Sequence, residues 1–354
     1  MKKLFLIPLM IVFVNALISG GYSESAEPAK VRTIELKFAG QLPEPTYQHT
    51  TCTRWAKELE KRSNGTVKVT MYHGGSLVTA PDLAKSLLDG VIDLALFDTT
   101  WTAPGTFPIS ELFIIPFILP SQVVAQNVFQ SLYFQGLHTD FKDYKVLSIN
   151  PTETNDFGFS KKKVTKPEDF KGMKIRSVDP PVISFLKKFG ASPVSVMTGE
   201  IFTAMERGVV DGYYMGATTI LPFGFCEVIK YSLEDQFGNC THVFLMNKNA
   251  WSRLPKNIQA IINELNHEFQ YWWVRAVDEA VKKNLDVAAS KFGVQVYSFT
   301  PETRARFKKE TRYLVDEWKE MAKGKGLPAE KILSEVEKLV NTYTHETLAN
   351  MALK

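Results

Sequence analysis

Ile34, Leu36 and Phe38 alternate with Glu35 and Lys37, and this period of two predicts a strand ending near Gly40. From about Tyr47 to Arg62, the apolar Trp55, Ala56 and Leu59 share a helical face opposite Lys57, Glu58, Lys61 and Arg62, and Ser63-Asn64-Gly65 stops that helix. Val67, Val69 and Met71 alternate as a second strand. Pro81 to Asp89 reads as a helix ended by Gly90, and Asp93 to Phe97 enters a third strand. Strand, helix, strand, helix, strand is the order of an α/β domain with a largely parallel sheet.

The same order returns after residue 150. Lys174-Ile175-Arg176 closes a strand, Pro180 to Gly190 is a helix, Pro193 to Val196 a strand, and Glu200 to Arg207 a helix with Ile201, Phe202, Ala204 and Met205 inward. Leu88-Asp89-Gly90-Val91-Ile92-Asp93 is echoed by Glu206-Arg207-Gly208-Val209-Val210-Asp211. In each copy a glycine can take the left-handed conformation that ends a helix, and a β-branched pair then starts a strand. Two related half-molecules are the economical inference. Beyond Pro255, Ile258, Ile262, Leu265, Phe269, Trp273, Val277 and Val281 recur at helical spacing over roughly 30 residues, or about 45 Å. That is more than one small domain is wide, so this helix is expected to cross both domains as a spine. Helical stretches from Arg304 to Lys323 and from Pro328 to Leu348 complete the chain.

Composition bounds the reading without changing it. The 354 residues are 45% apolar and 23% charged, an ordinary globular balance that allows two or three domains. Two are expected: residues 26–153 with about 242–281 as one lobe, and 154–241 with about 282–354 as the other. Lys and Arg total 42 against 38 acidic residues, an excess too thin and too scattered for a nucleic-acid partner. Lys2 and Lys3, the apolar run Leu4 to Leu17 and the small or polar stretch Ile18 to Ser25 have the layout of a cleaved export signal, so residues 1–25 are set aside and the mature protein is expected in the periplasm. Cys52, Cys226 and Cys240 are too few for a disulfide scaffold; a Cys226–Cys240 bridge and three buried free thiols both fit.

Phosphate-loop, dinucleotide, zincin and hydrolase-elbow motifs do not occur, and the histidines lack metal-ligand spacing, so neither cofactor nor metal is expected. In open α/β sheets ligands sit at the carboxyl ends of strands. Here those ends are Ala39 to Gln41, Phe97 to Trp101, the region around Asn155 to Phe159, Lys174 to Asp179, and Tyr213 to Gly216. Two such domains facing each other make a cleft that closes by hinge motion around a small solute, the arrangement of a periplasmic receptor. The expected fold is therefore α/β, a two-domain periplasmic binding protein with a cleft between its lobes and a long helix spanning both.

The run Pro167-Glu168-Asp169-Phe170-Lys171-Gly172-Met173-Lys174-Ile175-Arg176 resembles the solute-binding (P) subunits of the TRAP (tripartite ATP-independent periplasmic) transporters, the DctP-like family. The resemblance continues through Gly190-Ala191-Ser192-Pro193-Val194, Gly199 to Met205, Gly208-Val209-Val210-Asp211-Gly212 and Val243 to Leu254, and covers most of the mature chain. It implies a non-enzymatic receptor for a small organic acid, with the small Q-type and large M-type membrane subunits as partners. The competing readings are the receptor of an ATP-driven importer and an exported enzyme using Asp98 or Glu200 as a base.

The resemblance also implies that the arginine of K-I-R, here Arg176, pairs with the ligand carboxylate, for which a guanidinium offers two parallel N–H groups and a permanent charge. Two departures bear on the ligand. Many relatives carry a second arginine about twenty residues upstream, where this chain has Asp156, and they end the Val-Asp-Gly strand with Gln-Glu-Asn-Pro, where this chain reads Tyr213-Tyr214-Met215-Gly216, so that Met215 replaces the asparagine. Phe97, Asp98 and Trp101 lie at another strand end, and Gln41, Thr198 and Asp179 complete the expected ligand-binding set. The expected ligand has one carboxylate and an apolar, aromatic or amine-bearing remainder, with Asp98 and Asp156 suited to an ammonium group. A dianion would be repelled by buried carboxylates.

Overall fold

The alternation at the start folds as β1 (Ile34–Gly40), with Leu36 and Phe38 buried and Glu35 and Lys37 exposed. The structure is a computed structural model and describes residues 33–352; the expected export signal, residues 1–25, lies outside them. The helix Tyr47–Arg62 leads to β2 (Val67–Tyr72), and the short helix Leu83–Leu88 leads to β3 (Leu94–Asp98). Both strands flank β1 in parallel. A helix, Gln122–Phe134, precedes the long strand β4 (Lys145–Phe159). The second half repeats the plan: β5 (Lys174–Arg176) is flanked in parallel by β6 (Ser192–Val194) and β7 (Gly212–Gly216). Three further strands, β8 (Tyr231–Leu233), β9 (Gly238–Met246) and β10 (Gln295–Tyr297), complete the sheet.

The strand order β2-β1-β3-β9-β4-β7-β5-β6 sets one three-stranded unit on each side of the antiparallel pair β9 and β4. The six-residue echo is one turn built twice. Gly90 and Gly208 hold φ of 76° and 68°, and the next residue's N–H reaches back five positions, Val91 to the Ser86 carbonyl at 3.0 Å and Val209 to the Ala204 carbonyl at 2.8 Å. This is the helix-ending motif that a left-handed glycine permits. The aspartates that follow are equivalent too. Asp93 donates its N–H to the Lys37 carbonyl and accepts the Lys37 N–H on its carboxylate, both at 2.9 Å, and Asp211 does the same with Lys174 at 2.7 and 2.8 Å.

The spine helix is Lys256–Phe292, 37 residues and about 55 Å long. Its first part packs Ile262, Phe269 and Trp273 with Trp55, Leu59 and Phe244. Its last part joins the cluster of Ile201, Met205, Tyr213 and Phe225 through Ala288, while Asn284 Nδ2 donates to the Ala217 and Thr218 carbonyls at 3.1 and 2.8 Å. One amphipathic helix thus buries its face on both halves, giving the expected two-lobed α/β fold with a ligand cleft and a spanning helix.

One sequence expectation changes, and one open alternative is decided. The helix expected from Arg304 to Lys323 is two helices, Pro301–Glu310 and Tyr313–Gly324. At the break, Thr311 Oγ1 donates back to the Phe307 carbonyl at 2.8 Å, a local bond that competes with helix continuation. The final helix, Ala329–Ala352, packs against Gln122–Phe134 of the first half, with Ser131 and Tyr343 hydroxyls 2.7 Å apart. Cys52, Cys226 and Cys240 are all free and buried, so the bridge alternative does not hold. Among the described residues no helix is long and apolar enough to cross a membrane.

Candidate functional site

The segments that follow β1, β3 and β5 meet around a cavity of about 450 Å³, lined by Gln41, Trp101, Arg176 and Thr198 with the apolar Ile114, Met197 and Phe223. A smaller recess of about 50 Å³ is lined by Asp98, Glu153, Arg176, Asp179, Met215 and His242. Cavity and recess share Leu42, Thr100, Trp101, Arg176, Val178 and Thr198 in their walls.

Arg176 ends β5 beside β7, and its side chain is 4% exposed. Nε donates to the Val196 carbonyl and Nη1 points at the Met215 sulfur, each at 3.0 Å. A thioether is a weak acceptor. No carboxylate lies in ion-pair contact with this guanidinium among the described residues. Burial pulls its pKa down and nearby Asp179 opposes the fall; an arginine this basic keeps its charge. The fork is therefore held at its root and unmatched at its tip.

The carboxylates around it are buried as well. Asp98 accepts the Thr100 N–H on Oδ1 at 2.9 Å, and burial, reinforced by Asp179, pushes its pKa up to about 7. Asp179 is raised by burial and pulled back by Arg176. Glu153, also raised by burial, accepts the Thr218 N–H at 3.1 Å and the Thr218 hydroxyl. Burial lowers His242 to about 3, which keeps its ring neutral. Trp101 meets that ring edge-on with centroids 5.8 Å apart. Among the described residues no group of three or more His, Cys, Asp or Glu could hold a metal ion.

Of the residues expected to bind ligand, Arg176, Met215, Asp98, Trp101, Gln41, Thr198 and Asp179 line the cavity or its recess. Asp156, Tyr213, Tyr214 and Phe97 do not. Asp156 accepts the N–H groups of Asp235, Gln236 and Phe237 at 3.0, 3.1 and 3.4 Å, so its carboxylate is committed to a turn that its own neighbourhood in sequence does not reveal. Tyr213 lies over Gly158 and packs on Phe225, and Tyr214 packs on Phe157. Phe97, one residue before Asp98, alternates to the opposite face and packs toward Phe107. Sequence reasoning missed Glu153, Cys240 and His242, which the long strands β4 and β9 carry into the recess beside Asn155, at one of the strand ends where a ligand was expected. Register between distant strands brings them there, and no local motif marks them.

Residues 38–321 match the DctP family, described as bacterial extracellular solute-binding protein, family 7. A solute-binding protein of Albidiferax ferrireducens is 28% identical over 298 residues, covering 80% of this chain and 87% of its own length. Among solved structures, an open TRAP periplasmic solute binding protein from Desulfovibrio salexigens is 28% identical with a TM-score of 0.78, over 88% of this chain and 96% of that one. A marine metagenome TRAP solute binding protein specific for aromatic acid ligands, solved with 3-hydroxybenzoate, is 25% identical with a TM-score of 0.79, over 88% of this chain and 99% of that one.

Proposed function

The chain belongs to the DctP family of bacterial extracellular solute-binding proteins, and from that premise we propose that it is the extracytoplasmic receptor of a TRAP transporter, capturing a small organic acid and delivering it to the membrane permease. The observation that carries this reading is Arg176: a guanidinium 4% exposed, lining the cavity and paired with no protein anion among the described residues. A buried charge without a partner is costly unless something supplies the opposite charge. A ligand carboxylate does so with two parallel N–H···O bonds, each worth roughly 1.5 to 3 kcal/mol.

The rest of the ligand lies in the larger cavity, against Trp101, Ile114, Met197 and Phe223. A cavity of about 450 Å³ suits a small molecule, and its apolar wall suits an aromatic or aliphatic remainder. The relative specific for aromatic acids supports that choice. Within the described residues the lobes are 33–153 with about 242–281, and 154–241 with about 282–352, and closure bends the strands β4 and β9 that pass between them. The protein works in the periplasm, and its partners are the small Q-type and large M-type membrane subunits.

An enzymatic role has little to stand on. The buried trio Ser110, His138 and Asp140 is structural: Asp140 accepts the Ile109 and Ser110 N–H groups at 3.1 and 2.8 Å and the Ser110 hydroxyl at 2.9 Å, and these residues line neither cavity nor recess. Isothermal titration against monocarboxylates, dicarboxylates and amino acids tests the reading. A micromolar monocarboxylate recovered unchanged supports it; micromolar succinate overturns the single-anion ligand, and chemical turnover overturns the receptor.

A further inference from the structure

The charges of the inner recess do not balance around an ordinary anion. Among the described residues Arg176 is its one permanent cation, while Asp98, Asp179 and Glu153 supply carboxyl groups, and these four residues are 4%, 6%, 4% and 7% exposed respectively. None of these three carboxyls is ion-paired to a Lys, Arg or His among the described residues. A ligand bringing only a carboxylate would satisfy Arg176 but leave the three buried carboxyls without a cation, and each of them that ionised would repel it.

A second observation points to a ligand with donors. His242, 3% exposed, lines the recess with both ring nitrogens buried and without a hydrogen-bond partner among the described residues. A neutral imidazole needs one donor and one acceptor. Buried polar groups without partners are rare in folded proteins, because an unmade bond leaves the cost of desolvation uncompensated.

We infer that the ligand is a zwitterion, an amino acid or close analogue, whose carboxylate lies on Arg176 and whose ammonium group lies against Asp98 and Asp179. This deepens the reading of Arg176 as carboxylate anchor and rests on it. The ammonium restores the missing positive charge and offers N–H donors to two carboxylates and to the acceptor nitrogen of His242. The side chain of the amino acid runs past Trp101 into the apolar outer cavity. Asp98 is the group most sensitive to this arrangement, and the titratable or charged groups facing it are Arg176, Asp179, Glu153, Cys240, His242, Tyr47 and Tyr214.

The sign of proton exchange separates the possibilities. An ammonium favours ionised Asp98, so zwitterion binding near pH 6.5 releases protons. A bare carboxylate neutralises Arg176 and repels the ionised acids, so anion binding takes protons up. The experiment is calorimetry of the mature protein with L-amino acids matched one for one to L-2-hydroxy acids of the same side chain, such as phenylalanine against 3-phenyllactate. Titrations at pH 6.5 in two buffers of different ionisation enthalpy give the proton count. The expected result is at least tenfold tighter binding of the amino member, with proton release, and loss of that preference in Asp98→Asn. Should Asp98→Asn fail to fold, the proton count on the unaltered protein decides alone. Equal or tighter binding of the hydroxy acid, or proton uptake with the amino acid, overturns the zwitterion and leaves the acid receptor standing; binding of neither member in any pair overturns both.

Discussion

The Met215 sulfur lies 3.0 Å from Nη1 of Arg176, filling the side of the guanidinium where the resemblance would place an asparagine. A thioether shields the cation from water without competing for it, and this leaves the charge to the ligand. Met215→Leu is therefore expected to keep affinity within about threefold, because it preserves volume and removes only a weak acceptor. Met215→Glu sets a carboxylate against the guanidinium and is expected to lower affinity at least a hundredfold, the loss of roughly 3 kcal/mol of charge-assisted bonding. Retained binding in Met215→Glu, measured by calorimetry, would move the anchor away from Arg176.

The buried Asp98 carboxyl gives the ligand-free protein a pH signature. Its folded-state pKa is raised to about 7, well above an exposed aspartate, so between about pH 4 and 7 the folded protein holds a proton that the unfolded chain releases. Stability from this residue is thus fullest at low pH, falls as pH rises through that window and is flat above it. Asp98→Asn removes the titration and keeps an oxygen to accept the Thr100 N–H. The variant is expected to match the parent near pH 4 and to melt on the order of 6 °C higher at pH 8. A constant difference between the two melting curves across this range would contradict the assignment.

The repeated turn makes a paired prediction. Gly90 and Gly208 both hold positive φ, and neither position has a close neighbour that a methyl group would strike. Alanine there should pay only the left-handed conformational penalty of about 1 kcal/mol at each site, additive in the double variant. Urea unfolding measures this, and a difference above about 1 kcal/mol between the two sites would show that the turns are not equivalent.

The free, buried thiols are readily counted. Burial drives the Cys52 and Cys240 thiols well up from the usual range, so neither supplies thiolate near neutral pH. A thiol reagent without reductant should react slowly with the native protein and with all 3 cysteines after denaturation. One reactive thiol after denaturation would reveal a Cys226–Cys240 bridge.

How much of this was legible in the sequence follows the range of the interaction concerned. The paired glycine turns and the spine were readable because each is set by neighbours within a few residues: Gly90 and Val91, Gly208 and Val209, Phe269 and Trp273. Arg176 was readable because its short motif carries it onto a strand end. Asp156 was misread as facing the ligand because its partners, the N–H groups of residues 235 to 237, are some 80 positions away in the chain. Glu153 and His242 went unseen for the same reason. Their place beside Arg176 depends on the pairing of β4 with β9 and of β4 with β7, and strand register at that separation leaves no local pattern.

The central claim is that the Arg176 guanidinium grips the acid. Calorimetry of Arg176→Ala with the tightest-binding acid found for the parent, alongside the melting curves of both ligand-free proteins, tests it most directly. The account predicts at least a hundredfold loss of affinity with a melting temperature within a few degrees of the parent, since no ion pair to this arginine is lost. Affinity within threefold of the parent in a folded variant would contradict it.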